Sequence, residues 1–104
     1  MTETAFHKLA DTTLDILYDI LEQADESGLL DVEYQDGIMT IRLPSNQHYI
    51  INKHAVSREI WVSSPMSGGL HFKYDGDWKL PDGRTFQHVL TDELRSLANI
   101  EIHW

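Results

Sequence analysis

Eight carboxylates crowd into positions 11 to 33 of this chain: Asp11, Asp15, Asp19, Glu22, Asp25, Glu26, Asp31 and Glu33. The first 36 residues hold ten acids against a single base, Lys8, and account for the whole net charge of −9. From Asp11 to Glu26 the acids recur at three- and four-residue spacing, which on a helix turning about 100° per residue lines them along one side. Asp11/Asp15, Asp15/Asp19, Asp19/Glu22, Glu22/Asp25 and Glu22/Glu26 are like-charged where a surface helix ordinarily intersperses Lys or Arg. At ~0.2–0.5 kcal/mol each, such pairs together cost roughly 1–2.5 kcal/mol, a noticeable part of a net stability of about 5–15 kcal/mol. Exposed carboxylates with few donors nearby suit hard, oxygen-preferring cations: ferrous and ferric iron, Mn²⁺, Ca²⁺. The spacing implies a shallow, multi-position and weakly selective site. It also implies attraction to a basic protein surface and a poor match to nucleic acid.

The stretch Ile60-Trp61-Val62-Ser63 carries a second kind of chemistry. Strand alternation that buries Ile60 and Val62 turns Trp61 outward, towards water. An exposed indole surrounded by Asn52, His54, Ser63, His71 and Lys73 has the composition of a protein-binding hot spot with a polar rim. Stacking on RNA bases is the rival use, and the acidity of the chain argues against it.

The elements that must position these residues follow from periodicity. Phe6, Leu9, Ala10, Thr13, Leu14, Ile16, Leu17, Ile20, Leu21 and Ala24 share one side of a long first helix, with Thr4 as its cap and Ser27-Gly28 as its stop. Val32 and Tyr34 alternate with acids up to Asp36-Gly37, a strong hairpin signal, and 38–43 returns with Met39, Ile41 and Leu43 on one face. Further strands are expected at 48–53, 58–64, 70–74 and 78–80, with Gly68-Gly69 as a reversal. Thr85 caps a second helix carrying Phe86, Val89, Leu90, Leu94 and Leu97, and the tail Ile100-Glu101-Ile102 is expected to add an extended edge. Tight hairpins make an antiparallel sheet, and terminal helices cover only one of its faces. The expected fold is therefore α+β, a two-layer α/β sandwich, as a single domain spanning 1–104.

Other chemistry is excluded by inspection. The chain has no cysteine, hence no thiolate site or thiol nucleophile. It has no nucleophile elbow, Walker loop, dinucleotide-binding glycine pattern, HExxH or Glu-x-x-His. The six histidines are scattered along the sequence. No apolar run approaches the length of a membrane span, and the first residues read neither as a signal peptide nor as a transit peptide, so a cytoplasmic setting is expected.

Phe6-His7-Lys8-Leu9-Ala10-Asp11, Asp31-Val32-Glu33, Ile51-Asn52-Lys53 and Ile60-Trp61-Val62-Ser63-Ser64-Pro65, with the second helix, together resemble the frataxin family in its short bacterial (CyaY-type) form. The resemblance implies an α–β sandwich that binds iron weakly at several sites along an acidic ridge, where other hard divalent cations can substitute. It implies docking on the cysteine desulfurase and scaffold protein of iron–sulfur cluster assembly. Carried over, the ridge corresponds to Asp11, Asp19, Glu22, Asp25, Asp31 and Glu33, with Asp15 and Glu26 added from helical geometry. The sheet surface corresponds to Asn52 and Trp61, with Lys53, His54 and His71 as further partner-binding residues. His54 stands where relatives commonly have glutamine, and His71 where eukaryotic members are often basic. The expected function is a non-catalytic iron-binding regulator or chaperone of cluster assembly, monomeric or oligomeric with iron, in a bacterial cytoplasm. A slow ferroxidase and an iron-independent interaction module are the alternatives.

Overall fold

The computed structural model describes all 104 residues, Met1–Trp104. Helix α1 (Glu3–Ala24) begins at Thr2, whose hydroxyl accepts from the Ala5 N–H at 3.0 Å, so the expected cap at Thr4 lies inside the first turn. It ends at Asp25, before Ser27-Gly28. There the carboxylate accepts from the N–H groups of Leu29 at 2.7 Å and Leu30 at 2.9 Å, supplying the partners that a terminating chain lacks. The buried stripe is narrower than the apolar side of the sequence. Phe6, Ala10, Leu14, Leu17 and Leu21 are fully covered, whereas Ile16 is 45% exposed.

Six strands follow: β1 (Asp31–Gln35), β2 (Ile38–Arg42), β3 (His48–His54), β4 (Glu59–Ser64), β5 (Gly68–Tyr74) and β6 (Trp78–Lys79). They pair antiparallel in the order β1-β2-β3-β4-β5-β6, a pure meander. The β1–β2 turn places Asp36 at φ 54° and Gly37 at φ 74°, the double positive φ that a two-residue hairpin of the right twist demands. Gly68 and Gly69 do not reverse the chain. They lie within β5, opposite Ser64 and Ser63, and the turn precedes them.

Met39, Ile41, Tyr49, Ile51, Ile60, Val62, Phe72 and Trp78 form the buried face of the sheet and share one core with both helices. Phe6 of α1 meets Trp78 edge-on at 6.0 Å, and Phe86, the first residue of α2 (Phe86–Ala98), meets Phe72 at 5.4 Å. The Trp78 Nε1–H donates to the Thr13 hydroxyl at 3.0 Å, so the buried indole is satisfied. Thr85 caps α2 as expected. The tail adds no strand. Asn99, at φ 55°, turns it back, and Ile100 and Ile102 are buried in the core instead. The expected two-layer sandwich with one open sheet face is the observed fold.

A buried acid that periodicity does not flag closes the far side of the core. Glu93 of α2 is 5% exposed and accepts from the hydroxyls of Tyr49 (2.7 Å), Ser64 (2.5 Å) and Ser67 (2.6 Å). The Ser64 hydroxyl oxygen in turn accepts from the N–H groups of Met66 and Ser67, which shapes the β4–β5 turn. Burial, followed by the Glu93 carboxylate, pushes the Tyr49 phenol well above its ordinary range.

Candidate functional site

The acidic side of α1 is present, but its members are not equivalent. Asp15, Asp19, Glu22 and Glu26 are exposed, and no ion pair involves them. Asp11 is different, because the Lys53 ammonium lies 2.7 Å from its carboxylate. Asp25 is different again, its two oxygens being occupied by backbone N–H groups. Glu22, Asp25 and Asp31 line a depression of about 500 Å³ between the end of α1 and the start of β1, together with Tyr18, Leu21, Leu30 and Val32. Glu33 lies away from it. Val32 and Tyr34 turn inward against the core, so Glu33 faces the open side of the sheet, lining a hollow with Ile38 and Thr40. The multi-position acidic surface expected from the sequence is laid out as a row on α1, with Asp31 beside its end and Glu33 apart on β1. No three of its carboxylates converge on one point closely enough to hold a metal ion.

Two tyrosines missed by the sequence reading sit at the seam of α1 and β1. The rings of Tyr18 and Tyr34 lie 6.0 Å apart. Hydrogen bonding to the Glu22 carboxylate, and its negative charge, raise the Tyr18 phenol. Burial first, then the Asp15 carboxylate, push Tyr34 up to about 12.

On the open face, Trp61 does not stand free in water. Its register neighbours are Asn52 on β3 and His71 on β5. The indole is held flat between two imidazoles, with His54 at 3.7 Å and 4° and His71 at 4.2 Å and 5°. Its Nε1–H donates to Glu59 at 3.1 Å. Burial disfavours the charged form of Glu59, but hydrogen bonds from Trp61 and Ser57 and the nearby His71 and Lys73 outweigh it and hold the carboxyl below its usual range. Ser57 fixes the far imidazole, its hydroxyl lying 2.7 Å from His54 Nδ1. The sandwich leaves Trp61 half-buried, and the expectation of a freely exposed indole is corrected accordingly. Indole and imidazole edges are the surface on offer.

Lys53 is the clearest correction. Alternation along β3 puts Tyr49, Ile51 and Lys53 on the helix side and Ile50, Asn52 and His54 on the open side. The Lys53 side chain is 17% exposed and serves Asp11, so it forms no part of the surface around Trp61. Its stem passes over the hairpin at Gly37, where a Cβ would lie 2.6 Å from Lys53 Cε. Asn52, His54, Trp61 and His71 do come together. Ile38 (49% exposed) and Ile50 (40% exposed) extend the same face, and Glu59 anchors the indole. The period-two pattern that placed Met39 and Ile51 inward was sufficient to place Ile38 and Ile50 outward.

Comparison with known proteins gives one consistent result. The model of the Frataxin-like domain family matches residues 1–100. The chain is 39% identical over 77 residues to the mitochondrial frataxin homolog of Schizosaccharomyces pombe, a stretch covering 71% of this chain and 49% of that protein. It spans about half the length of the curated relatives it matches. Among solved structures, a frataxin from Psychromonas ingrahamii superposes with a TM-score of 0.87 at 19% identity, covering 98% of this chain and 96% of that one. Trimeric frataxin from Saccharomyces cerevisiae, solved in complex with ferrous iron, superposes with a TM-score of 0.77 at 35% identity, covering 86% and 85%.

Proposed function

This chain belongs to the frataxin family, and from that premise we propose that it binds iron weakly along α1 and docks on the cysteine desulfurase–scaffold complex of iron–sulfur cluster assembly. The observation that carries the reading is the pairing of two unlike surfaces on one small domain. One is a row of carboxylates without counter-ions; the other is an indole pinned in place on an uncovered sheet. The row attracts cations and basic surfaces through charge, with Asp15, Asp19, Glu22 and Glu26 as the accessible groups. Iron is cargo here, held at several positions by exposed oxygens, and other hard divalent cations compete for the same groups. The iron-complexed yeast relative supports that reading. The sheet supplies shape, with Trp61 as anchor and Ile38, Ile50, Asn52, His54 and His71 around it.

The proposal keeps the bacterial cytoplasmic setting that the resemblance implies. The curated relatives are mitochondrial, and fractionation of the source cells decides the compartment. The protein acts as a monomer on the complex. The trimeric yeast relative makes an iron-loaded oligomer the second state to look for.

The deciding experiment measures binding to the reconstituted desulfurase–scaffold complex, with chelator and with anaerobic Fe²⁺, for the natural chain and for Asp19→Lys/Glu22→Lys. Binding that weakens in the charge-reversed variant, most strongly at low salt, is expected. Equal binding by both proteins at low ionic strength removes α1 from the interface. Binding indifferent to iron reduces the protein to an iron-independent module.

A further inference from the structure

The stack on the open face ends at His71. One face of its ring lies on Trp61, and the residue also lines a cleft of about 610 Å³ bounded by Glu59, Lys73, Asp75, Lys79 and the turn from Leu80. The cleft exists because β6 is only two residues long. The register that sets Lys73 opposite Lys79 would bring position 81 opposite His71. Instead the chain turns at Leu80, whose N–H donates to the Arg84 carbonyl while the Gly83 N–H donates to the Leu80 carbonyl. Gly69 and Gly83, at the borders of this region, have open space where a side chain would stand.

Two carboxylates, Glu59 and Asp75, line the cleft with Lys73 and Lys79, yet neither lysine is closed into an ion pair with them. Lys73 and Lys79 face each other directly across the strands, and like charges so placed are destabilising. Neither makes an ion pair, whereas Lys53, Arg84 and Arg95 all do. Glu59, on β4, is engaged by the Trp61 indole and stands opposite Lys73, so its negative charge directs an anionic group to the far side of Lys73, towards Lys79. A stacking wall, two unpaired ammonium groups and a volume within the range of about 300–1,000 Å³ usual for small-ligand sites occur in one place.

We propose that this cleft binds a small planar heteroaromatic anion, its ring stacked on the free side of His71 and its phosphate or carboxylate between Lys73 and Lys79. A ring edge bearing an N–H donor suits the neighbouring Glu59 carboxylate. The site is separate from α1 and owes nothing to iron.

Adenosine monophosphate is the probe, with adenosine and inorganic phosphate as its two halves, titrated in chelator and followed by amide chemical shifts. Shifts should centre on Gly69, His71, Lys73, Lys79 and Gly83, and the intact probe should bind at least roughly tenfold tighter than either half. His71→Ala should weaken the probe roughly fivefold or more, the scale of one lost base stack, and leave phosphate binding unchanged. Lys73→Gln/Lys79→Gln should weaken both the probe and phosphate by roughly tenfold or more. Amide spectra of the variants confirm that they fold, and the lysine pair tests the site independently should His71→Ala not fold. Shifts scattered over the surface, a probe no tighter than phosphate, or affinities unmoved in the folded variants overturn the proposal.

Discussion

The outer side of α1 and the open face of the sheet are both polar surfaces without cover, and they are built on opposite physical terms. The helix row repeats one charge along exposed side chains, and its accessible carboxylates have no cation to hold them. On the sheet every ring is fixed: His54 by Ser57, Trp61 by Glu59 and by two imidazoles, His71 by the indole. A surface of the first kind acts through total charge, tolerates single changes and fades with salt. One of the second kind acts through shape, and a single substitution can empty it. The difference tells an experimenter to change the helix in groups and the sheet one residue at a time.

The sharpest break of that contrast is Trp61→Ala. Loss of a central hot spot should weaken docking by about 2 kcal/mol or more, roughly 30-fold. Two ring stacks at about 0.5–1.5 kcal/mol each imply a stability loss of about 1–3 kcal/mol, intermediate between a surface and a core residue. Urea unfolding alongside the binding assay checks both. Full affinity in the variant would leave the sheet face without its anchor.

On the helix the expected effect is smaller and opposite in sign. Asp15→Asn/Glu22→Gln removes the like-charge neighbours Asp15/Asp19, Asp19/Glu22 and Glu22/Glu26, none of which has a cation beside it. At low salt this should stabilise the fold by about 1 kcal/mol, or roughly 4–8 °C in melting temperature. It should also shrink the stabilisation by Mn²⁺ or anaerobic Fe²⁺. Identical melts for both proteins in chelator, NaCl and metal would mean that the row is an ordinary solvated surface.

The seam between the two regions responds to alkali. In the unfolded chain Tyr34 ionises near its ordinary 10.0, but in the fold not until about 12, because burial and then Asp15 disfavour the phenolate. The unfolded state therefore holds fewer protons in that window, and stability present below pH 10 is lost as pH rises towards 12. Tyr34→Phe should flatten this loss in urea midpoints measured across the window. An unchanged slope would assign the alkaline loss to other groups.

Least is expected of Lys53→Met. It removes an ion pair whose carboxylate is half-exposed and whose lysine is mostly covered, worth about 1 kcal/mol, and should leave docking as it was. A docking defect would return Lys53 to the sheet surface, against its register.

Much of this was legible in the sequence. Asp36-Gly37, Thr85 and the alternation in β2 and β4 specify hairpin, cap and strand faces through local chemistry. The acids on α1 could be read from spacing alone. What could not be read depends on contacts between distant positions. Lys53 is expected with Asn52 on the sheet surface, but neighbours on a strand point to opposite faces, and its partner Asp11 lies 42 positions earlier. Trp61 was seen to leave the core, but the imidazoles that enclose it come from the adjoining strands. Glu93 carries no sequence signal, since its three hydroxyl partners assemble only when α2 closes on β3 and β4.

The meander has a consequence for how the molecule comes into being. Every strand pairs with its neighbour in sequence, so the sheet can grow as successive local hairpins with little loop-closure entropy at each step. The helices alone must close over long stretches of chain. During synthesis α1 emerges before the strands, and its stripe of Phe6, Leu14, Leu17 and Leu21 lacks the sheet that covers it until they exist. Through that interval the same carboxylates that later face cations surround the bare stripe with negative charge. Like charge around an apolar stripe opposes its association with a second copy while the rest of the domain is made.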